Sequence, residues 1–401
     1  MRPPQTDEEK DSTMKLGSRH ITSMAMATAF ICLLGAAFLR AQAAAEQKPL
    51  ISDDVFKNVQ VLKGIPVDQF MSIMGFFSAS LGMSCEDCHS ADDRNWSGFA
   101  ADNTRKRLAR RMITMMQTIN KDNFGDRQLV TCYSCHRGGT PPRAVPDLAQ
   151  LYGFPLPPDP NDVITQAPGQ PPADQILDRY LQAIGGAQRL AAITSVIATG
   201  TNTGFGPEAA DKRVVEIYAK APGQRTVIVH TSNGDSTTTY DGRSGWVAAP
   251  LRPVDVLSLA GQELDGARLD AQMVFPGQIK QAIGRWRTGF PTTIDDKDVD
   301  VVQGATAAGT IVTLYFDKAS GLLTRWVRLT DSPVGKIPTQ TDYADYRDVS
   351  GVKIPHHVTM TWLDGRDNFD LTSVRTNAPV DAAKFSKPAP SKAPVARPAA
   401  R

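Results

Sequence analysis

The sequence predicts an α+β, multidomain chain: a small helical, loop-rich part followed by an antiparallel β domain with helices. Three observations predict it. Residues 70–136 hold two Cys-x-x-Cys-His signatures, each preceded by a stretch with helical apolar periodicity. Residues 138–172 are rich in proline and glycine. Beyond them, runs of β-branched and aromatic residues alternate with turn dipeptides such as Asn233-Gly234 and Asp241-Gly242. At 401 residues there is room for two or three domains, and a net charge of +2 gives no reason to expect a nucleic-acid partner.

Residues 1–13 are polar, and Met14 is an alternative start. Lys15, Arg19 and His20 precede an uncharged apolar run, residues 21–39, with small residues following from Ala41 to Ala45. That is the order of a secretory signal, so residues 1–45 are expected to direct export and be cleaved. The run is also long enough to stay as an inner-membrane anchor. Both readings put the bulk of the chain in the periplasm.

The helical domain is expected over residues 50–140. In CEDCH, residues 85–89, and CYSCH, residues 132–136, positions i, i+3 and i+4 of a helical turn share one face. Cys85, Cys88 and His89 can therefore meet one flat cofactor, as can Cys132, Cys135 and His136. This is the attachment sequence of a c-type haem: two thiols add across the porphyrin vinyl groups and the imidazole reaches the iron. Two covalently attached haems c are expected. A zinc site or a disulfide pair are the rival readings. A four-cysteine zinc ribbon, however, separates its pairs by about 15–20 residues, whereas residues 89–131 separate these. Zinc also leaves the histidine after each pair unexplained.

Before the first signature, Val67, Phe70, Met74, Phe77 and Leu81 mark one helix face; before the second, Leu108, Met112, Met115 or Met116, and Ile119 do so. Such methionines are either core packing or sixth ligands to iron. A methionine helix ahead of both signatures favours ligation, with Met74 and Met112 as the pair and Met71, Met115 and Met116 as alternatives. Arg105, Lys106, Arg107, Arg110 and Arg111 crowd the second helix. They form a solvated face, or they meet haem propionates or an acidic partner.

With NVQVLKGIPVDQFMSIM, CEDCH, LARRMITMMQTIN and VTCYSCHRG together, the sequence resembles the cytochrome c subunit of photosynthetic reaction centres over about residues 54–140. The resemblance implies an axial methionine on the helix before each signature. Its Phe-x-x-x-Met pattern falls on Met74 and its Arg-Arg-Met pattern on Met112. It implies electron transfer with redox partners at the membrane surface. The purple-bacterial family member has four haems and a further ligating histidine between its second methionine helix and signature. This chain has two signatures, and KDNFGDRQLV contains no histidine.

Residues 141–172 read as a semi-extended linker, or as an arm laid on a surface through Leu148, Leu151, Tyr152 and Phe154. The β domain is expected over 173–387. It opens with an amphipathic helix that buries Ile176, Leu177, Tyr180, Leu181 and Ile184 and closes at Gly185-Gly186. Antiparallel strands follow, interrupted by helical stretches within 253–286. YFDKASGLLTRWVRL, DYRDVSGVKIPHHV and TNAPVDAAKF resemble the periplasmic lipoprotein-carrier fold. The resemblance implies a curved β half-barrel with helices on its concave side and an apolar cavity for an acyl chain, a quinone tail or a lipid. Residues 388–401 read as a disordered tail. His356-His357 are expected at the surface of an edge strand, and His230 alone in a strand.

Electron transfer by an exported dihaem cytochrome is the leading reading. The rivals are a lipophilic-ligand carrier or sensor, and a haem enzyme of peroxidase or quinol-oxidising type with an open sixth site.

Overall fold

The computed structural model describes residues 48–89, 96–153, 158–205 and 210–391. The signal or anchor segment and the end of the tail lie outside them. From Pro49 onward the chain forms one compact unit.

Four longer helices carry the architecture: α1 (Val67–Leu81), α2 (Thr104–Phe124), α3 (Ala173–Ala183) and α4 (Gly261–Gln272). No helix among the described residues is long and apolar enough to cross a membrane. Single helical turns, Cys85–Cys88 and Cys132–His136, follow α1 and α2. The strands are β1 (Ser195–Thr203), β2 (Arg213–Lys220), β3 (Gln224–Thr231), β4 (Gly234–Tyr240), β5 (Gly245–Ala248), β6 (Val256–Ser258) and β7 (Gly284–Thr288). They continue with β8 (Thr292–Ile294), β9 (Lys297–Ala305), β10 (Ile311–Asp317), β11 (Leu323–Ser332), β12 (Gly335–Val349), β13 (Val352–Trp362) and β14 (Gly365–Thr376).

All fourteen form one antiparallel sheet, ordered β6-β5-β4-β3-β2-β1-β14-β13-β12-β11-β10-β9-β7, with β8 on β9. Its two ends do not pair, so the curved sheet is an unclosed barrel. Chain neighbours on a strand point to opposite faces, and the core divides accordingly. Leu314, Phe316 and Trp326 pack with Leu177 and Tyr180 of α3, Ile184 just after it and Leu269 of α4, on the helix-covered face. Tyr315 and Val327 face the other way and meet Val163.

Val163 belongs to the proline-rich stretch, whose second half lies on the sheet. The Tyr315 hydroxyl donates to Asn161 Oδ1 at 2.8 Å, and Ala167 N donates to Thr288 O at 2.8 Å. Val163 and Ala167 are buried there, whereas Leu148, Leu151 and Tyr152, the residues expected to seat an arm, are exposed, and Phe154 lies outside the described residues.

The helical part has a small core of its own: Leu62, Ile65, Ile73, Phe76, Ile113 and Met116. Val334 and Ile337, in and beside the β11–β12 turn, complete it. The sheet thus supplies part of the wall that the helices lack.

Two expectations are corrected. β13 lies between β12 and β14, so His356 and His357 are on an interior strand; His356 is buried, and His357 Nδ1 lies 2.6 Å from Asp370 Oδ1. His230 is not alone: its Nδ1 lies 2.7 Å from Asp235 and its Nε2 3.5 Å from Glu216.

Candidate functional site

The first signature turn starts at a capping box. Ser84 N donates to Asp87 Oδ2 at 2.9 Å, and the Ser84 hydroxyl to the same oxygen at 3.0 Å. Asn103, the N-cap of α2, accepts from Lys106 N and donates through Nδ2 to Cys88 O at 2.8 Å. The cap that begins α2 therefore also fixes the end of the turn. Arg105 pairs with Asp87 at 3.4 Å, both groups well exposed.

His89 stacks on Phe99, ring centroids 4.6 Å apart, and its Nδ1 lies 3.1 Å from Phe99 O. A carbonyl only accepts, so Nδ1 carries the proton and Nε2 keeps its lone pair. Burial, then the Lys106 ammonium, push the imidazole below its ordinary pKa, which keeps it neutral.

The second turn repeats this plan. Thr131 and Ser134 form its capping box. His136 Nδ1 lies 2.8 Å from Thr140 O and 3.2 Å from Gly139 O, again leaving Nε2 with the lone pair. Buried Asn120 of α2 holds the approach to this turn. Its Oδ1 accepts from Leu129 N and Val130 N, and its Nδ2 donates to Val130 O at 2.7 Å. The turn then leans on the end of α1: Gly138 N donates to Ser80 O at 3.0 Å, and the Thr140 hydroxyl to Leu81 O.

Among the described residues the four cysteines, Cys85, Cys88, Cys132 and Cys135, are free thiols. Burial pushes the Cys85, Cys88 and Cys132 thiols above their ordinary values, so they are neutral at pH 7. The two turns do not converge on one centre. Among the described residues no group of three or more His, Cys, Asp or Glu side chains could hold a metal ion. Each turn carries the donor set that a c-type haem needs: two unpaired thiols and one imidazole with a free Nε2.

The helix faces differ from the expected stripes. α1 buries Val67, Ile73 and Phe76, and α2 buries Ile113 and Met116. Met74, Phe70 and Phe77 pack at the margin of that core, half-buried. Met112 and Ile119 are half-buried, while Leu108 and Met115 are 46% and 47% exposed. Val334 and Ile337 cover the neighbouring face of these helices, so the buried face lies beside the expected stripe and shares Val67 and Met116 with it. The methionine-bearing faces are thus apolar surface beyond what the protein core uses. Met116, an alternative ligand, is buried in the core beneath Gln128.

Sequence reasoning missed the sheet's contribution. The Asp364 carboxylate of the β13–β14 turn sits over Gly75 of α1, where a Cβ would come within 3.0 Å of it. Its charge and that of Arg252 both act on Cys85. No sequence signal connects these positions to the signature. Asn103, just before the helical run, was a readable cap.

The sheet also holds a cavity of about 140 Å³ on its helix-covered face, lined by apolar side chains that include Ile184, Met273 and Trp326.

Residues 2–149 match the family model for the photosynthetic reaction centre cytochrome C subunit. The photosynthetic reaction center cytochrome c subunit of Roseobacter denitrificans is 35% identical over 96 residues, 22% of this chain and 25% of that protein. That of Thermochromatium tepidum is 33% identical over 96 residues, 23% of each chain. The chain spans about a quarter of the length of the curated relatives it matches. Among solved structures, a LolA superfamily protein from Nitrosomonas europaea aligns over 54% of this chain and 99% of its own, with 15% identity and a TM-score of 0.39. A DUF1329 family protein from Desulfovibrio piger covers 54% of this chain and 98% of its own, with 11% identity and the same TM-score, 0.39.

Proposed function

We propose that this chain, alike in its first 149 residues to reaction-centre cytochrome subunits, is an exported dihaem c-type cytochrome carrying electrons between membrane-associated redox partners. One observation carries the reading. Each Cys-x-x-Cys-His turn presents two free thiols and an imidazole whose Nδ1 is committed to a backbone carbonyl. Bound haem c would supply a reversible one-electron iron couple.

The residues of the chain do the rest. Cys85 and Cys88 would hold one haem, and Cys132 and Cys135 the other. His89 and His136 offer Nε2 to iron; the Phe99 and Thr140 carbonyls fix ring orientation and tautomer. Met74 and Met112 would be the methionines offered to the two irons, where a thioether raises the potential relative to histidine. Arg107 and Arg111, exposed on α2, suit an acidic redox partner. Export rests on the signal pattern of residues 1–45.

A redox titration of the full chain, matured in a host that attaches c haems, tests the ligands. Met74→Ala and Met112→Ala should each move one of two one-electron waves to lower potential by more than about 59 mV, a tenfold change for such a couple. An unchanged titration would contradict the ligand assignment.

The cavity supports a second site on the sheet for a lipophilic molecule, a lipid or a quinone. Its binding would accompany electron transfer, not replace it.

A further inference from the structure

The cavity is not uniformly apolar. Arg225 of β3 and Asp270 of α4 line it beside Tyr343 and Trp326. The two charges act on each other, but their side chains form no hydrogen bond or ion pair with any described residue. Nearby Arg328 is engaged by Glu263, at 3.4 Å. Burial holds the Asp270 carboxyl above its ordinary pKa, so leaving it without a partner is costly. A donor and an acceptor therefore line the same space unused.

Size and charge together restrict the occupant. The volume of about 140 Å³ is close to that of an apolar cavity of roughly 150 Å³ that takes one benzene, so the enclosed part holds a single ring. Ile184, Val196, Met273 and Phe369 give that ring an apolar bed. An anionic head would gain from Arg225 and be repelled by Asp270; a cationic head would meet the reverse. A neutral hydroxyl can accept from Arg225 and donate to Asp270.

We propose that this cavity is a binding site for an alkyl-substituted phenol or hydroquinone, its uncharged ring hydroxyl set between Arg225 and Asp270 and its tail along the apolar wall. The inference rests on the reading of the sheet as a lipophilic-ligand site and is independent of the haem assignment.

Calorimetric titration of the full-length holoprotein at pH 8 tests it, with 4-octylphenol, octanoate, 1-octanol and 2-octyl-1,4-benzoquinone as probes. The phenol should bind at one site, at least about tenfold tighter than octanoate or the benzoquinone, since a site built to bond a hydroxyl discriminates against a ligand lacking it. Asp270→Ala should cut phenol affinity at least about tenfold. Asp270→Asn keeps an acceptor and removes the repelling charge; it should retain the phenol and improve octanoate. Unchanged haem spectra and melting temperature would show that both variants fold. 2-Octylbenzene-1,4-diol, added as a fifth probe, should bind as tightly as 4-octylphenol; binding as weak as that of the benzoquinone would overturn the hydroquinone part of the proposal. Octanoate or the benzoquinone binding as tightly as the phenol, or Asp270→Asn leaving octanoate affinity unchanged, would overturn the proposal. If all the probes bind alike, the hydroxyl inference fails and the lipophilic site stands. If no probe binds, both fail.

Discussion

Asp68, buried in the first turn of α1, links the helical part to the sheet by a single carboxylate. Its Oδ2 accepts from Ala260 N, the N-cap of α4, at 2.8 Å, and Oδ1 accepts from Gln69 N. Burial, with a contribution from the Glu263 charge, raises its pKa from 3.8 to about 6 despite these donors. A folded-state pKa above the unfolded one means that the native state holds the proton more tightly. The stabilisation is full below pH 4 and is lost as pH rises through 6. Relative to Asp68→Asn, the wild type should lose about 2–3 kcal/mol between pH 4 and pH 7. Denaturant titrations of both proteins across that range check it; a pH-independent difference would contradict it. Asn120 is a second single-residue clamp. Asn120→Ala strands two backbone N–H groups before the second signature and should cost about 1–3 kcal/mol in the same assay. The chemistry-bearing residues were legible in the sequence because a fixed spacing on one helical turn encodes them. Asp68 and Asn120 were not: their partners, Ala260 and Leu129-Val130, become neighbours only through packing.

At the scale of elements, α1 is the piece on which both signatures depend. It carries Met74, leads into the first turn and supports the second through Ser80 and Leu81. It ends at Gly82, with φ 63°, where a Cβ would lie 2.4 Å from Gly138 O. Only glycine serves there. Gly82→Ala should therefore destabilise the protein by more than about 2 kcal/mol, through left-handed strain plus displacement of the Cys132–His136 turn. Calorimetric melting would measure the first effect and the His136 haem spectrum the second; a neutral substitution would refute the close packing. The existence and type of α1, α2 and α3 were readable from apolar spacing. Which face of α1 and α2 is buried was not, because Phe76, Ile113 and Met116 pack on Val334 and Ile337 from a hairpin far along the chain. The strands were legible as alternating runs. Their joining into one fourteen-strand sheet was carried only by resemblance, since pairing partners leave no local mark.

For the whole molecule, the shared core makes the helical part and the sheet interdependent. Ile337→Ala lies in the sheet yet should cost about 2–5 kcal/mol. It should lower the unfolding midpoint followed at the haem bands as much as that followed by far-UV dichroism. Two separate transitions, with the haem-band one unmoved, would show that the helical part stands alone. The central claim concerns the two turns: iron porphyrin joined through four thioethers and held by His89 and His136. The most direct measurement is haem stoichiometry by pyridine haemochrome together with the intact mass of the denatured full chain, produced in a host that matures c-type cytochromes. The account predicts two covalent haems per chain, falling to one in Cys85→Ala/Cys88→Ala and in Cys132→Ala/Cys135→Ala; a colourless protein of bare polypeptide mass would contradict it.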